Sequence, residues 1–335
     1  MPASLAREGA AMRAALVADL VSIGHHTIVT TADARSRHDL PLGVEVITLP
    51  AGDRARVAAL DRAIDSVDAV WLIAPETDRC LERLADRVTR RRKTLLGSDA
   101  GVIARASDKA TLGRRLAALG IRHPETRRLA RDVESARASP NSGYPIVVKP
   151  ARGAGSGGIS LVRHAGEWRR AIGFARRASG RSGVLLQEYV PGTAASVSLI
   201  ADGRHAQVLS VNEQILAASP RFAYRGGRTP FDHELAPRAM AAALGACRAA
   251  PGLRGFVGVD VVLTESDVVV IEINPRLTTA YLGIRAAVDE NVAALAMDAC
   301  AGRLAAAPRL RRSIQFSSSG RIVSCEPARR ERGAA

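Results

Sequence analysis

The sequence predicts two fold classes in series: a small α/β layer with a parallel sheet over residues 1–100, then a larger α+β region. Two patterns carry that expectation. Short apolar runs alternate with helix-length segments between 26 and 92, as they do where helices join parallel strands. From 145 onward the apolar runs follow one another more closely, with turn residues between them, as in antiparallel pairs. With 335 residues, 47% of them hydrophobic, the chain can bury two or three separate cores.

The first element is a helix over 8–22, where Met12, Leu16 and Leu20 recur at helical spacing and Gly24 ends the run. Strands follow at 26–31 and 44–49, then a helix at 53–66. Asp68–Ala74 reads as a buried strand closed by Pro75, with a helix over 78–92 behind it. A parallel layer ordinarily opens on a strand, so the opening helix implies a start further upstream or a missing first strand. Residues 107–119 form a helix stopped by Gly120, and the polar stretch 131–143 is a connection. The strands expected next are 145–149, 159–163, 184–190, 196–201, 206–211, 257–263 and 267–273. Helices fall at 166–178, 236–249 and 284–301, and residues 212–230 read as loops. A last strand and tail occupy 311–335, with the Arg-rich end 326–335 expected to be disordered.

Composition narrows the partners. The formal charge is +15, yet the arginines are spread along the chain, with no zinc-finger spacing and no aromatic-studded RNA motif. Nucleic acid is therefore disfavoured against a phosphorylated or acidic small molecule. Cys80, Cys247, Cys300 and Cys325 are far apart, in no metal-binding spacing, and read as thiols of a reducing compartment. No apolar stretch reaches transmembrane length and no signal-peptide pattern opens the chain, so the expectation is a cytoplasmic protein without a membrane partner.

The lysines are informative because they are so few. Of 48 basic residues only Lys93, Lys109 and Lys149 are lysine, the rest arginine. A coding bias toward arginine spares lysine where a compact ammonium must meet a phosphate oxygen, and chance survival is the plainer alternative. Lys109 stands in Ser107-Asp108-Lys109, and Lys149 ends the strand Tyr144-Pro-Ile-Val-Val-Lys149. Just after it come Gly153, Gly155, Ser156, Gly157 and Gly158, whose backbone N–H groups can surround phosphate; a plain hairpin turn fits the same glycines. Leu185-Leu-Gln-Glu-Tyr-Val-Pro-Gly192 reads as a strand broken at a hinge, where free backbone groups at Glu188 and Val190 could read a base edge; an ordinary strand end fits the same residues. The most specific set is Asp260 with Glu272-Ile-Asn274. Glu272 and Asn274 are two apart on one strand and share a face, and Asp260 lies on the strand before. Three such oxygen ligands suit Mg²⁺ held together with phosphates, and ion pairing to arginine is the plainer alternative. Arg276 follows, with a planar fork suited to a carboxylate or phosphate.

In that order, these motifs resemble the ATP-grasp superfamily over about residues 70–300. The resemblance implies an ATP-grasp domain of two α+β subdomains over 101–310, hinged near 184–192, behind a pre-ATP-grasp domain at 1–100. It implies that Lys109 and Lys149 contact ATP phosphates under the 153–158 loop, and that Glu188 and Val190 offer backbone groups to adenine. By the same resemblance Asp260, Glu272 and Asn274 hold Mg²⁺ or Mn²⁺, and Arg276 steadies an acyl-phosphate, making Lys149 and Arg276 the catalytic pair. The family often carries an acidic residue after the hinge for the ribose. Here the stretch is Thr193-Ala-Ala-Ser-Val-Ser198, which leaves Glu188 or Ser196 for that contact. More narrowly, Glu8-Gly-Ala-Ala-Met12, Ile73-Ala-Pro-Glu76, Ser210-Val-Asn-Glu-Gln214, Tyr224-Arg-Gly-Gly227 and Asn274-Pro-Arg-Leu-Thr-Thr279 resemble the tyramine–glutamate ligase type of methanofuran biosynthesis. Glu76, Gln214, Arg225, Thr278 and Thr279 would then line the acceptor site. The implied activity is ATP-dependent joining of a small carboxylate to a small amine, in a protein expected to pair as a homodimer. The rivals are another ATP-grasp ligase or carboxylase, and a nucleotide-binding regulator without turnover.

Overall fold

Fifteen strands and nine α-helices are formed by residues 3–33, 40–129, 143–153, 155, 157–180, 182–218 and 222–327, the residues described in the computed structural model. Ser156, most of the 131–143 connection and the tail from 328 lie outside them. The elements run α1 (Ala3–Ile23), β1 (Val29–Asp33), β2 (Glu45–Leu49), α2 (Asp53–Asp65), β3 (Ala69–Val70), α3 (Cys80–Arg90), β4 (Thr94–Leu95), α4 (Ala100–Ser107) and α5 (Lys109–Ala118). Then come β5 (Thr126–Arg128), β6 (Ile146–Pro150), β7 (Ser160–Val162), α6 (Trp168–Ser179), β8 (Val184–Glu188), β9 (Thr193–Asp202), β10 (Ala206–Ala218) and β11 (Phe222–Thr229). The chain closes with α7 (Ala236–Cys247), β12 (Arg254–Leu263), β13 (Val268–Asn274), α8 (Ala280–Ala287), α9 (Val292–Cys300), β14 (Arg312–Ser317) and β15 (Ile322–Pro327).

The first hundred residues carry parallel pairs, β1 with β2 and β3 with β4. A four-stranded antiparallel sheet follows, in the order β5-β8-β6-β7. Trp168, Ala171, Ile172 and Ala175 on one side of α6 cover it, packing on Ile146, Val148, Val162 and Leu186. The largest sheet is antiparallel and seven-stranded, in the order β13-β12-β9-β10-β11-β14-β15. One of its faces carries Val197, Leu199, Val257, Val259 and Val261 against α4, α5 and the alanine stripe Ala239, Ala243, Ala246 of α7. The other carries Ile200, Leu209 and Phe256 against α1, α8 and α9.

Four expectations change. The strand expected over 68–74 contracts to β3, because β4 offers only two residues to pair with and the ladder ends at the bond from Leu96 N to Val70 O. The helix expected over 284–301 is two helices: Asn291 caps α9, its side chain accepting from Ala294 N at 3.0 Å. The loops read over 212–230 are largely the hairpin β10–β11. The helix α4 falls where none was expected, capped by Asp99, which accepts from Val102 N at 2.8 Å.

The opening helix packs mainly on the late helices and meets the first layer through Arg13, whose Nη1 donates to the Thr31 carbonyl of β1 at 2.8 Å. Its Met12 and Leu16 are buried with Tyr281, Ile284 and Val292 on α8 and α9. Asp19, 8% exposed, accepts from the Tyr281 hydroxyl and from Arg285, whose Nη2 lies 2.5 Å away. Asn291 Nδ2 also donates to the Asp19 carbonyl at 2.8 Å.

Candidate active site

The floor of the site is the hairpin β12–β13. Its turn is closed by Asp267, whose N–H donates to Thr264 Oγ1 at 2.9 Å and whose Oδ1 accepts from Val268 N at 2.8 Å. From there the register pairs Val261 with Val270 but Asp260 with Glu272, leaving Ile271 as a bulge. The bulge decides where the chemistry points. Val268 and Val270 face the core under α7, and strict alternation would send 272 and 274 the same way. The extra residue flips the parity, so Ile273 enters that core and Glu272 and Asn274 turn to the opposite face, beside Asp260.

Asp260 is held by two donors: Gln214 Nε2 reaches its Oδ1 at 2.9 Å and Asn274 Nδ2 its Oδ2 at 3.2 Å. Its carboxyl is also hydrogen-bonded to that of Glu272. Burial first, and the neighbouring Glu272 second, push Asp260 far above the usual carboxylate range. Glu272 goes the other way: burial opposes its charge, but Lys109 and Lys149 outweigh burial and hold it down.

Lys109 opens α5 directly after Asp108, whose side chain caps the helix at Thr111 N, and its ammonium is ion-paired to Glu272. Lys149, 2% exposed on β6, donates to Gln187 Oε1 on β8 at 2.7 Å. Gln187 is oriented in turn by Thr126, whose Oγ1 accepts from its Nε2 at 2.8 Å. Burial, then the charge of Lys109, lowers Lys149 to about 7. His123 donates from Nδ1 to the Val270 carbonyl at 2.8 Å, and burial keeps it neutral down to about 4.

Beside this cluster, Arg276 grips Glu76 with a two-pronged fork, Nε to Oε1 at 2.7 Å and Nη2 to Oε2 at 3.0 Å. The pair ties the segment before α3 to the end of β13. Tyr224 of β11 is hydrogen-bonded to Thr279 and lifted well above its ordinary value by burial. Thr278 packs close to the sheet because Gly258 has no side chain; a Cβ there would lie 2.7 Å from Thr278 Cγ2.

Lys109, Lys149, Asp260, Glu272, Asn274, Arg276, Glu76, Gln214, Thr278 and Thr279 are thus gathered between one face of the large sheet and the end of β6, an inner strand of the small one. Arg225 is not among them: it is the extra residue of a bulge in β11 and is exposed. Gly153, Gly155, Gly157 and Gly158 connect β6 to β7. Gly158 is buried between Pro150 and Ala178, and Gly155 lies by Leu5 of α1. Glu188 is exposed, its carboxylate accepting from Glu125 N at 3.2 Å, and Val190 is half-buried past the end of β8. Gly192 follows at φ +153, where a Cβ would collide with the Leu263 carbonyl oxygen. Ser196 is spoken for, accepting from Asn212 within a buried network that includes Ser198 and Ser210. Gln187, Tyr224 and His123 adjoin these groups without having been assigned from sequence; strand pairing brings in Gln187 and Tyr224, which stand in quoted motifs, and His123 reaches the hairpin from the segment before β5.

The ATP-grasp domain family matches residues 106–280, more than half of the chain, and the pre ATP-grasp 3 domain family matches 26–103. A curated relative, the tyramine–L-glutamate ligase of Methanocaldococcus jannaschii, is 37% identical over 101 residues. That match spans 30% of this chain and 32% of the relative, about a third of its length. A structure from Archaeoglobus fulgidus, described as of the ATP-grasp superfamily, is 26% identical with a TM-score of 0.67, covering 94% of this chain and 87% of that one. An L-amino acid ligase from Bacillus licheniformis shares the fold at 16% identity and a TM-score of 0.72, covering 90% of this chain and 75% of its own. By sequence and by fold, the chain belongs to the ATP-grasp domain family.

Proposed function

We propose that the protein is an ATP-dependent ligase that joins a small carboxylate to a small amine through an acyl-phosphate. The observation that carries this reading is the convergence of two buried lysines, from α5 and β6, on the carboxylate pair and Arg276 at one face of the large sheet. Lys109 and Lys149 are compact cations placed to meet phosphate oxygens, and their charges would stabilise the transferring phosphoryl group. The γ-phosphoryl group passes from ATP to a carboxylate oxygen, forming one P–O bond and releasing ADP. The amine nitrogen then bonds to the acyl carbon, the C–O bond to phosphate breaks, and the nitrogen gives up a proton. Throughout, the protein's part is to position and to neutralise.

The donor set of Asp260, Glu272 and the Asn274 carboxamide oxygen fits a hard divalent cation. Two buried carboxyls in contact, one of them pushed strongly upward, are the arrangement such a cation relieves. Mg²⁺ held there would neutralise charge on the phosphates. Arg276, fixed by Glu76, would face the acyl-phosphate, and Glu188 and Val190 would border the adenine. The local match to tyramine–L-glutamate ligases supports L-glutamate and tyramine, or a similar amine, as the pair.

The test is ADP release from Mg-ATP with L-glutamate and a panel of amines including tyramine. ADP formed only when both substrates are present is expected. Saturable Mg-ATP binding with no ADP from any pair would overturn the ligase reading in favour of a regulator.

A further inference from the structure

We propose that Glu8 of α1 receives the cationic amino group of the amine substrate. This rests on the ligase reading above and adds to it a residue that faces the second substrate.

The placement of Glu8 follows from helical spacing. Leu5, Glu8, Met12, Leu16 and Asp19 recur at intervals of three and four and form one stripe of α1. Both ends of the stripe are fixed. Leu5 lies by Gly155 in the glycine-rich connection, while Met12 and Leu16 are buried and Asp19 is bound by Tyr281 and Arg285. Glu8 is therefore held on the inward face, between that connection and the core. It is half-buried there, within electrostatic reach of Arg276 and of Tyr224, which also feels Asp260.

The other carboxylates of this region are engaged. Asp260 accepts from Gln214 and Asn274, Glu272 is paired to Lys109, and Glu76 holds the fork of Arg276. Among the described residues, no side chain donates a hydrogen bond to Glu8. Burial disfavours its charge, and Arg276 and Arg7 only partly offset that. A half-buried carboxylate that no side chain satisfies is left to water or to a ligand's donor. The ligand's sign is set by the neighbours. The lysines attract phosphate and carboxylate, which Glu8 repels, so its ligand is an ammonium; tyramine and the α-amino group of L-glutamate both carry one, and the KM values of the two substrates tell them apart. Glu8 would hold that group near Arg276, where the acyl carbon is presented, and the ammonium would pass one proton to solvent before its nitrogen attacks.

The test separates the two half-reactions. Hydroxylamine is uncharged at neutral pH and traps an acyl-phosphate as a hydroxamate without needing an anionic binding site. Wild type and Glu8→Gln are compared in two assays: hydroxamate from L-glutamate and Mg-ATP, and amide from L-glutamate and tyramine. The expected result is unchanged hydroxamate formation, an unchanged melting temperature, and a KM for tyramine raised at least about tenfold, as the loss of one charge-assisted hydrogen bond implies. The KM values for Mg-ATP and L-glutamate should stay put, a split that a merely structural residue would not produce. An unchanged KM for tyramine in Glu8→Gln, or equal loss of hydroxamate and amide, overturns the assignment while leaving the ligase reading intact. No hydroxamate from the wild type overturns the ligase reading, and the role of Glu8 with it.

Discussion

Replacing Lys149 with methionine should make the protein more stable and inactive at once. Burial and Lys109 bring this ammonium from 10.5 to about 7, which corresponds to ~5 kcal/mol against its charged form. The folded value lies below the unfolded one, so the sign runs as follows. Below pH 7 both states hold the proton and the whole cost is present. Between 7 and 10.5 the unfolded chain keeps a proton the fold has shed, and stability from this group rises with pH. Above 10.5 the cost has gone. Methionine removes the cost but strands Gln187 Oε1, a loss of about 1–3 kcal/mol. Urea unfolding should therefore find Lys149→Met more stable by roughly 2–4 kcal/mol at pH 6, with the advantage lost or reversed at pH 10.5. ADP release should vanish at both. A variant less stable at pH 6, or a difference independent of pH, would refute the argument. Retained turnover would remove Lys149 from the reaction.

Two further perturbations probe the anchors around the site. Glu76→Gln removes the hydrogen-bonded partner of the buried Arg276 fork and should cost about 3 kcal/mol in urea unfolding, and a loss below about 1 would mean that Glu272, Asp260 and Glu8 balance its charge without Glu76. Asp19→Asn weakens the hold of Tyr281 and Arg285 on α1; because Arg285 is about a third exposed, the loss should be nearer ~2 kcal/mol, with faster proteolysis inside α1 as its specific sign. Cleavage elsewhere first would count against that anchor.

The chemistry was legible in sequence wherever it was local. Lys149 before its glycines and Glu272-Ile-Asn274 are each continuous stretches, and strand alternation places 272 and 274 on one side. Which side was not legible, because the deciding bulge at Ile271 lies in Val268-Val-Val-Ile-Glu-Ile-Asn274, with no glycine or proline to mark it. The hairpin β10–β11 was hidden for the opposite reason. Gly226 and Gly227 look like loop residues, yet they are glycine because β14 and Glu213 pass too close for a side chain. Glu8 stands between Leu5 and Met12, where a carboxylate reads as solvated until the partner of that stripe is known. Ser98-Asp99 before an apolar run was the available sign of α4, masked by the stronger Ser107-Asp108 that starts the next helix.

The lodging of α1 against α8 and α9 sets an order of events during synthesis. Asp19 precedes Tyr281 by 262 residues and Arg285 by 266. At ~5–20 residues per second, α1 leaves the ribosome on the order of tens of seconds before its partners exist. Meanwhile the hairpins β9–β10 and β12–β13 can pair as they emerge, since each closes on near neighbours in sequence. Met12 and Leu16 must wait, shielded only by transient contacts, until the late helices appear. The packing of α1 is thus the last to be completed, and a nascent chain halted before residue 280 would carry the β12–β13 hairpin with α1 still undocked.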